Sequence, residues 1–192
     1  HYGLHLPLWR QFVLWLGRVV LHGDLGMSFQ FHAPVSHIIL SRAWNTILLS
    51  GTSMALSWLI AVPLGIYAAQ RQHSWVDRTL TGVSFMGISI PNFFLALCLL
   101  YVIVTLQLPL PIGGATSPHY DELSFFGKVA DRAQHLLIPV FVLVTASVAG
   151  LSRYTRGNML DQLRQDYVMV ARAKGLPERA VVYRHAARNA LN

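Results

Sequence analysis

Charge is scarce in this chain. Only 12% of its 192 residues are Asp, Glu, Lys or Arg, against 54% hydrophobic, whereas a soluble domain carries roughly a quarter charged residues. That shortage argues against an ordinary soluble domain and for a membrane protein. Cysteine is nearly absent: Cys98 stands alone in an apolar run, so neither a disulfide framework nor a cysteine-based zinc site can be assembled from this chain. No Gly-x-x-x-x-Gly-Lys-Ser/Thr run occurs, which removes the phosphate cradle of a P-loop ATPase. Of the nine histidines only His1 and His5 have the i, i+4 spacing of a helix-borne metal pair, and no metal site is expected. The first residue is not Met and no signal-peptide pattern follows it, so the sequence is read as part of a longer chain.

The charge that is present is unevenly placed. The net charge is +7, and eight of the 15 Lys and Arg lie between Arg153 and Arg188. Spread over a soluble surface such a balance points to nucleic acid. Gathered beside the last apolar segment, it is the bias of a cytoplasmic loop, and nucleic acid is not needed to explain it.

Three uncharged or nearly uncharged segments organise the rest. Ile47 to Ala69 has no charged residue and matches the roughly 20 residues that a helix needs to cross the hydrocarbon core. It ends at the charged turn from Arg71 to Arg78. Thr79 to Leu106 is also uncharged, with Pro91 and Asn92 near its middle, and about Ala133 to Ser152 forms the third, with Pro139 and Gly150 inside. The loop from Gln107 to Gln134 sets Lys128 and Arg132 against Asp121, Glu122 and Asp131, whereas the short turn and the tail are basic. The turn and tail are therefore expected on the cytoplasmic side, and the first 44 residues on the other.

Smaller features fill in this scheme. Leu8 to Leu21 carries Trp9 and Trp15 but is interrupted by Arg10, Gln11 and Arg18, which predicts an interfacial helix with aromatic anchors. Leu108-Pro-Leu-Pro-Ile-Gly-Gly breaks any helix, and Asp121 to Arg132 reads either as a short amphipathic surface helix or as ordinary loop packing. Small polar residues, Asn45, Thr46, Ser50, Thr52, Ser53 and Ser57 on the first segment and Gly82, Ser84, Gly87 and Ser89 on the second, suit close helix packing or a pathway lining. Pro91 and Asn92 mark either a kink or a break that exposes backbone to a polar pathway.

In the tail, Asn158 is expected to cap a helix whose apolar positions run from Met159 to Ala171. Gly175 suits a left-handed C-terminal cap and Pro177 the start of a second helix, with Glu178 near its positive end. Ala171, Ala173 and Gly175 permit close approach, while Arg172, Lys174 and Arg179 offer charge at the rim. Such a segment either sits in the groove of another protein or rests on anionic lipid.

Asp166-Tyr-Val-Met-Val-Ala-Arg-Ala-Lys-Gly-Leu-Pro-Glu-Arg179, followed by Arg184-His-Ala-Ala-Arg-Asn-Ala-Leu191, resembles the cytoplasmic EAA loop of ABC-transporter permeases of the dipeptide, oligopeptide and nickel importer type. Of the general acidic-Ala-Ala…Gly pattern, Ala171 and Gly175 are kept, with Met169 and Val170 at the other two positions. His22-Gly-Asp-Leu-Gly-Met-Ser28, Ser89-Ile-Pro-Asn-Phe-Phe94 and Tyr154-Thr-Arg-Gly-Asn-Met-Leu160 resemble further segments of that family in the same order.

The resemblance implies an all-α polytopic permease fold with six transmembrane helices, of which the three segments here correspond to the second through fourth. The divisions expected are an interfacial part over 1–44, a transmembrane core over 45–157 and a coupling loop over 158–192. It further implies half of an import pathway for short peptides or a nickel chelate. A second permease subunit, two cytoplasmic ATPase subunits holding ATP and magnesium, and an extracytoplasmic solute-binding protein would be its partners in the bilayer. ATPase coupling would fall to Asp166, Ala171, Arg172, Ala173, Lys174, Gly175, Leu176 and Arg179, and the pathway or helix break to Ser89, Pro91, Asn92 and Phe93. No cofactor and no enzymatic activity are expected of the chain itself. Two other classes remain beside this one: a membrane scaffold used only for assembly, and an intramembrane hydrolase, which the segments oppose by holding no His or Asp apart from His135 at a boundary.

Overall fold

A computed structural model describes residues 6–191, so the His1 and His5 pair and the final Asn192 lie outside the described residues. The described chain is helical apart from one strand pair, as the sequence predicts. It divides into two compact units, one ending at Leu48 and one beginning at Leu49.

The first unit opens with α1 (Leu8–His22), at the position predicted for an interfacial helix. Its end is set by Gly23, which takes a left-handed φ of 64°. The Gly23 N–H then reaches Val19 O at 3.1 Å and the Asp24 N–H reaches Arg18 O at 3.2 Å. The Gly-Asp-Leu-Gly segment that follows is turn chemistry. The Asp24 carboxylate accepts the Gly26 N–H at 2.9 Å, and Met27 and Ser28 pair antiparallel with Pro34 and Ala33. Helix α2 (Val35–Gln70) begins directly after this hairpin, 12 residues earlier than the expected segment at Ile47.

In the second unit α2 is followed by α3 (Trp75–Ser89), α4 (Asn92–Thr105) and α5 (Phe125–Leu163). With 36 and 39 residues, α2 and α5 rise about 54 and 58 Å, well beyond the ~30 Å hydrocarbon core. The third expected segment, about Ala133 to Ser152, is therefore only the middle of a longer helix. Its start absorbs the predicted surface helix at Asp121 to Arg132. Tyr120–Glu122 forms a single 3-10 turn, and Ser124 caps α5 by accepting the Gly127 N–H at 3.3 Å.

The second expected segment is not one straight crossing. Its arms α3 and α4 meet at 91°, and with 15 and 14 residues they rise only about 22 and 21 Å. Contacts with α5 decide what the pair is. Near one end of α5, Arg156 binds Asp77 at the start of α3. Toward the other end, the stretch after α4 is fastened by Ser117 N–H to Asp131 Oδ2 at 3.0 Å and by Arg132 Nε to the Tyr120 hydroxyl at 2.7 Å. About 38 Å of helix separates Asp131 from Arg156, so α3 and α4 together travel between the same two ends as α5. They form one broken span, and the charged turn shares an end of the bundle with the basic tail.

Small residues set how closely these helices approach. A Cβ on Gly65 would lie 2.7 Å from both Ser152 O and Thr155 Cβ, and one on Gly87 would lie 3.0 Å from Ala149 Cβ. Of the small polar residues expected to pack, Ser53, Ser57 and Ser84 are buried, whereas Asn45, Thr46, Ser50, Gly82 and Ser89 are exposed.

Candidate functional site

A buried apolar core lies at the basic end of the chain, where two short helical stretches fold back on α2 and α5. Helix α6 (Asp166–Ala173) begins after Gln165; Asn158, expected as its cap, lies inside α5 and instead donates from Nδ2 to Ala190 O at 3.1 Å. The capping expectation failed because the apolar repeat continues without interruption from α5 into α6, so periodicity alone does not locate the boundary. A second stretch follows from α7 (Glu178–Ala180) through a π-helical turn (Val181–Ala186) into α8 (Ala187–Ala190).

The joint between them is built as the sequence suggests. Gly175 adopts φ 76°, its N–H reaches Arg172 O at 2.9 Å, and the Leu176 N–H reaches Ala171 O at 3.4 Å. These are the two bonds that close a helix end over a left-handed residue. Pro177 then precedes α7. Across the joint, Arg172 grips Glu178 with Nη2 to Oε1 at 2.7 Å and Nε to Oε2 at 3.2 Å. The guanidinium holds the Glu178 carboxyl below its ordinary range.

One side of this block faces inward. Val168 and Ala171 from α6 join Val181, Val182, Ala186, Ala187 and Ala190, and pack on Ile66 and Ala69 of α2 and Met159 of α5. Val168, Val181 and Met159 are fully buried, contributing about 1.5–3 kcal/mol each. The inward residues of the second stretch recur both at i+5, from 181 to 186 and from 182 to 187, as in a π turn, and at i+4, from 182 to 186 and from 186 to 190.

The other side is open. Met169, Val170 and Tyr183 are more than half exposed and Leu176 is 40% exposed, while Arg172, Lys174, Arg179, Arg184 and Arg188 are exposed around them. Exposed apolar groups with a charged rim are the composition of a partner-binding face.

The residues expected to couple therefore divide. Asp166, Arg172, Ala173, Lys174, Gly175, Leu176 and Arg179 are exposed. Ala171 is 6% exposed and belongs to the core, so it packs the block rather than presenting a surface: it lies one turn before the joint, at i+3 from Val168 and on the same face. Arg172 has its charge engaged by Glu178 within the chain.

Ser89, Pro91, Asn92 and Phe93 all lie exposed at the break between α3 and α4. None of them lines the groove of about 680 Å³ between α2, α3 and α5; their neighbours Gly87 and Ile90 do, with Leu64, Ser84, Val148 and Arg156.

Sequence reasoning missed the Asp77–Arg156 pair. Arg156 places Nε 2.5 Å from Oδ1 and Nη2 2.7 Å from Oδ2, and Asp77 is 4% exposed. A signal was there: Asp77 is the sole acidic residue between Asp24 and Asp121. Among the described residues, no group of three or more His, Cys, Asp or Glu is placed to hold a metal.

Residues 61–192 match the family described as binding-protein-dependent transport system inner membrane component. The chain is 44% identical over 191 residues to the oligopeptide transport system permease protein AppB of Bacillus subtilis, covering 99% of this chain and 58% of that protein. It is 31% identical over 205 residues to the dipeptide transport system permease protein DppB of Escherichia coli, covering 98% and 60%. With the glutathione transport system permease protein GsiC of Escherichia coli it shares 35% over 190 residues, covering 98% and 56%. The chain thus spans less than two thirds of the length of these curated relatives. It belongs to the family of binding-protein-dependent transport system inner membrane components.

Proposed function

We propose that this chain forms half of the translocation pathway of an ATP-driven importer of short peptides, and that the block over 166–188 is the element through which ATPase subunits act on it. The observation that carries the reading is the two-sided build of that block. Its inner side is locked to α2 and α5 by a buried apolar core, while its outer side offers exposed Met169, Val170 and Leu176 beside basic side chains. A docked partner that moves would therefore move two membrane helices with it, which is the contact difference a two-state bundle requires.

In this reading the block and the Arg71–Arg78 turn are cytoplasmic, in keeping with the basic residues gathered there. The partners are a second homologous permease subunit, two ATPase subunits that hold and hydrolyse ATP with magnesium, and an extracytoplasmic solute-binding protein. Oligopeptide, dipeptide and glutathione in the relatives' names favour peptides as the cargo.

Gly175 supplies the test. A Cβ there meets nothing within 4 Å, but φ is +76°, so Gly175→Val acts through backbone strain of about 1–3 kcal/mol rather than through a clash. In the assembled full-length complex this substitution is expected to lower ATPase association and labelled-peptide uptake together, at normal expression. Unchanged association and uptake would sink the docking role.

A further inference from the structure

Resting on the reading above and deepening it, we propose that Asp77 and Arg156 are positioning residues: their ion pair makes α3, and with it the broken span, follow α5 when the 166–190 block moves. Three observations converge on one turn of α5. Arg156 holds both carboxylate oxygens of Asp77 at 2.5 and 2.7 Å. Two and three residues on, Asn158 binds Ala190 O at 3.1 Å and Met159 is fully buried in the core of the block. The same stretch of α5 thus grips the block on one side and the start of α3 on the other.

Asp77 is held in turn. Its Oδ2 accepts the His73 N–H at 3.0 Å, and its own N–H donates to Ser74 Oγ, the cap of α3, at 3.3 Å. The carboxylate therefore unites the turn from α2, the first turn of α3 and α5. Elsewhere α3 meets α5 through contacts with looser geometry: Ser84 and Ser152 hydroxyls 3.4 Å apart, the Arg153 guanidinium 5.4 Å from the Phe85 ring centre, and Gly87 facing Ala149. Among the described residues no other charged pair joins α3 to α5. A guanidinium fork on a carboxylate fixes direction as well as distance, which hydroxyl and methyl contacts do not. At its far end α3 runs to Ser89, where the 91° break begins. A shift of the block is thereby delivered to the break chiefly through this fork.

A buried ion pair is weak evidence for stability, because replacing both partners with apolar groups of similar size commonly leaves a fold intact. That property separates positioning from mere packing. The full-length permease, assembled with its ATPase subunits in proteoliposomes, is compared as wild type, as the double variant Asp77→Leu with Arg156→Met, and as Arg156→Lys, which keeps the charge and loses the fork. The readout is peptide moved per ATP hydrolysed.

The double variant is expected to assemble and to hydrolyse ATP within about two-fold of wild type, while peptide moved per ATP falls by about ten-fold, the scale of an ordinary coupling between sites. Arg156→Lys is expected to fall between the two. A wild-type ratio in the double variant overturns the inference. Should the double variant fail to assemble, a wild-type ratio in Arg156→Lys overturns it equally. A wild-type complex that hydrolyses ATP without moving peptide overturns instead the importer reading on which this inference rests.

Discussion

Two of the joints between helices of the second unit, one at Gly175–Pro177 and one at Ile90–Pro91, are built in opposite ways. At Gly175 the helix end is closed by two backbone bonds, an ion pair from Arg172 to Glu178 spans the gap, and both arms bury residues in one core. At Pro91 the residues from Ser89 to Phe94 are all exposed. There Ile90 takes an extended conformation, as the residue before a proline is driven to do, and α4 starts from backbone bonds to Pro91 O alone. The first joint is braced across its gap by an ion pair and a shared core; at the second, among the described residues, no side-chain bond spans the break itself, and its arms are held only where each lies against α5. A motion entering at the basic end thus meets a stiff element first and a compliant one last.

The largest effect should come from emptying the stiff joint's core. Met159→Ala is expected to cost about 2–5 kcal/mol, read as a loss of thermal stability of the purified complex together with faster proteolysis in the 166–190 block. A loss confined to stability elsewhere, with the block still protected, would break the contrast.

The compliant joint predicts a different outcome. Pro91→Ala restores an N–H and removes the clash that keeps Ile90 extended, at a stability change within about 1 kcal/mol. Spin labels at positions 85 and 97, in a Cys98→Ser background, should then separate toward the ~18 Å of a continuous helix. Pro177→Ala, measured across the other joint, should leave its arms where they are. Equal responses from the two prolines would mean that both joints are held alike.

The smallest effect concerns the ion pair over the stiff joint. Because the hydrogen bond from Arg172 lowers the folded-state pKa of Glu178, the pair contributes stability above the ordinary glutamate value of 4.5 and loses it as pH falls through the lower folded value. Both side chains are substantially exposed, so the contribution is at most about 1 kcal/mol. Glu178→Gln should abolish that acid-dependent part, and an unaltered stability profile below pH ~4.5 in the variant would assign it to other groups.

Much of this was legible in residue order. The apolar segments predict a helical membrane fold, Gly175 and Pro177 predict the turn between two helices, and the basic residues put the short turn and the tail at one end. What the order left open lay in contacts between distant residues. Pro63, Pro91 and Pro139 all stand in apolar runs, yet only Pro91 breaks its helix. Pro139 sits between buried Ile138 and Val140 and Pro63 follows Val62, which packs on the core; no such packing surrounds Pro91. The small size of Ala171 suits an interface and a core equally well, and only the fold puts it in the core.

What the sequence by itself determined is therefore the helical class and the apolar segments, the chemistry of the turn at Gly175 and the clustering of basic charge, all of which depend on neighbours within a turn or two. Tertiary structure alone decided which proline bends, which face of the basic block is buried, and that Asp77 meets Arg156. Those outcomes depend on contacts between residues far apart in the chain, such as Asp77 with Arg156 and Met159 with the core of the block, which no local pattern specifies.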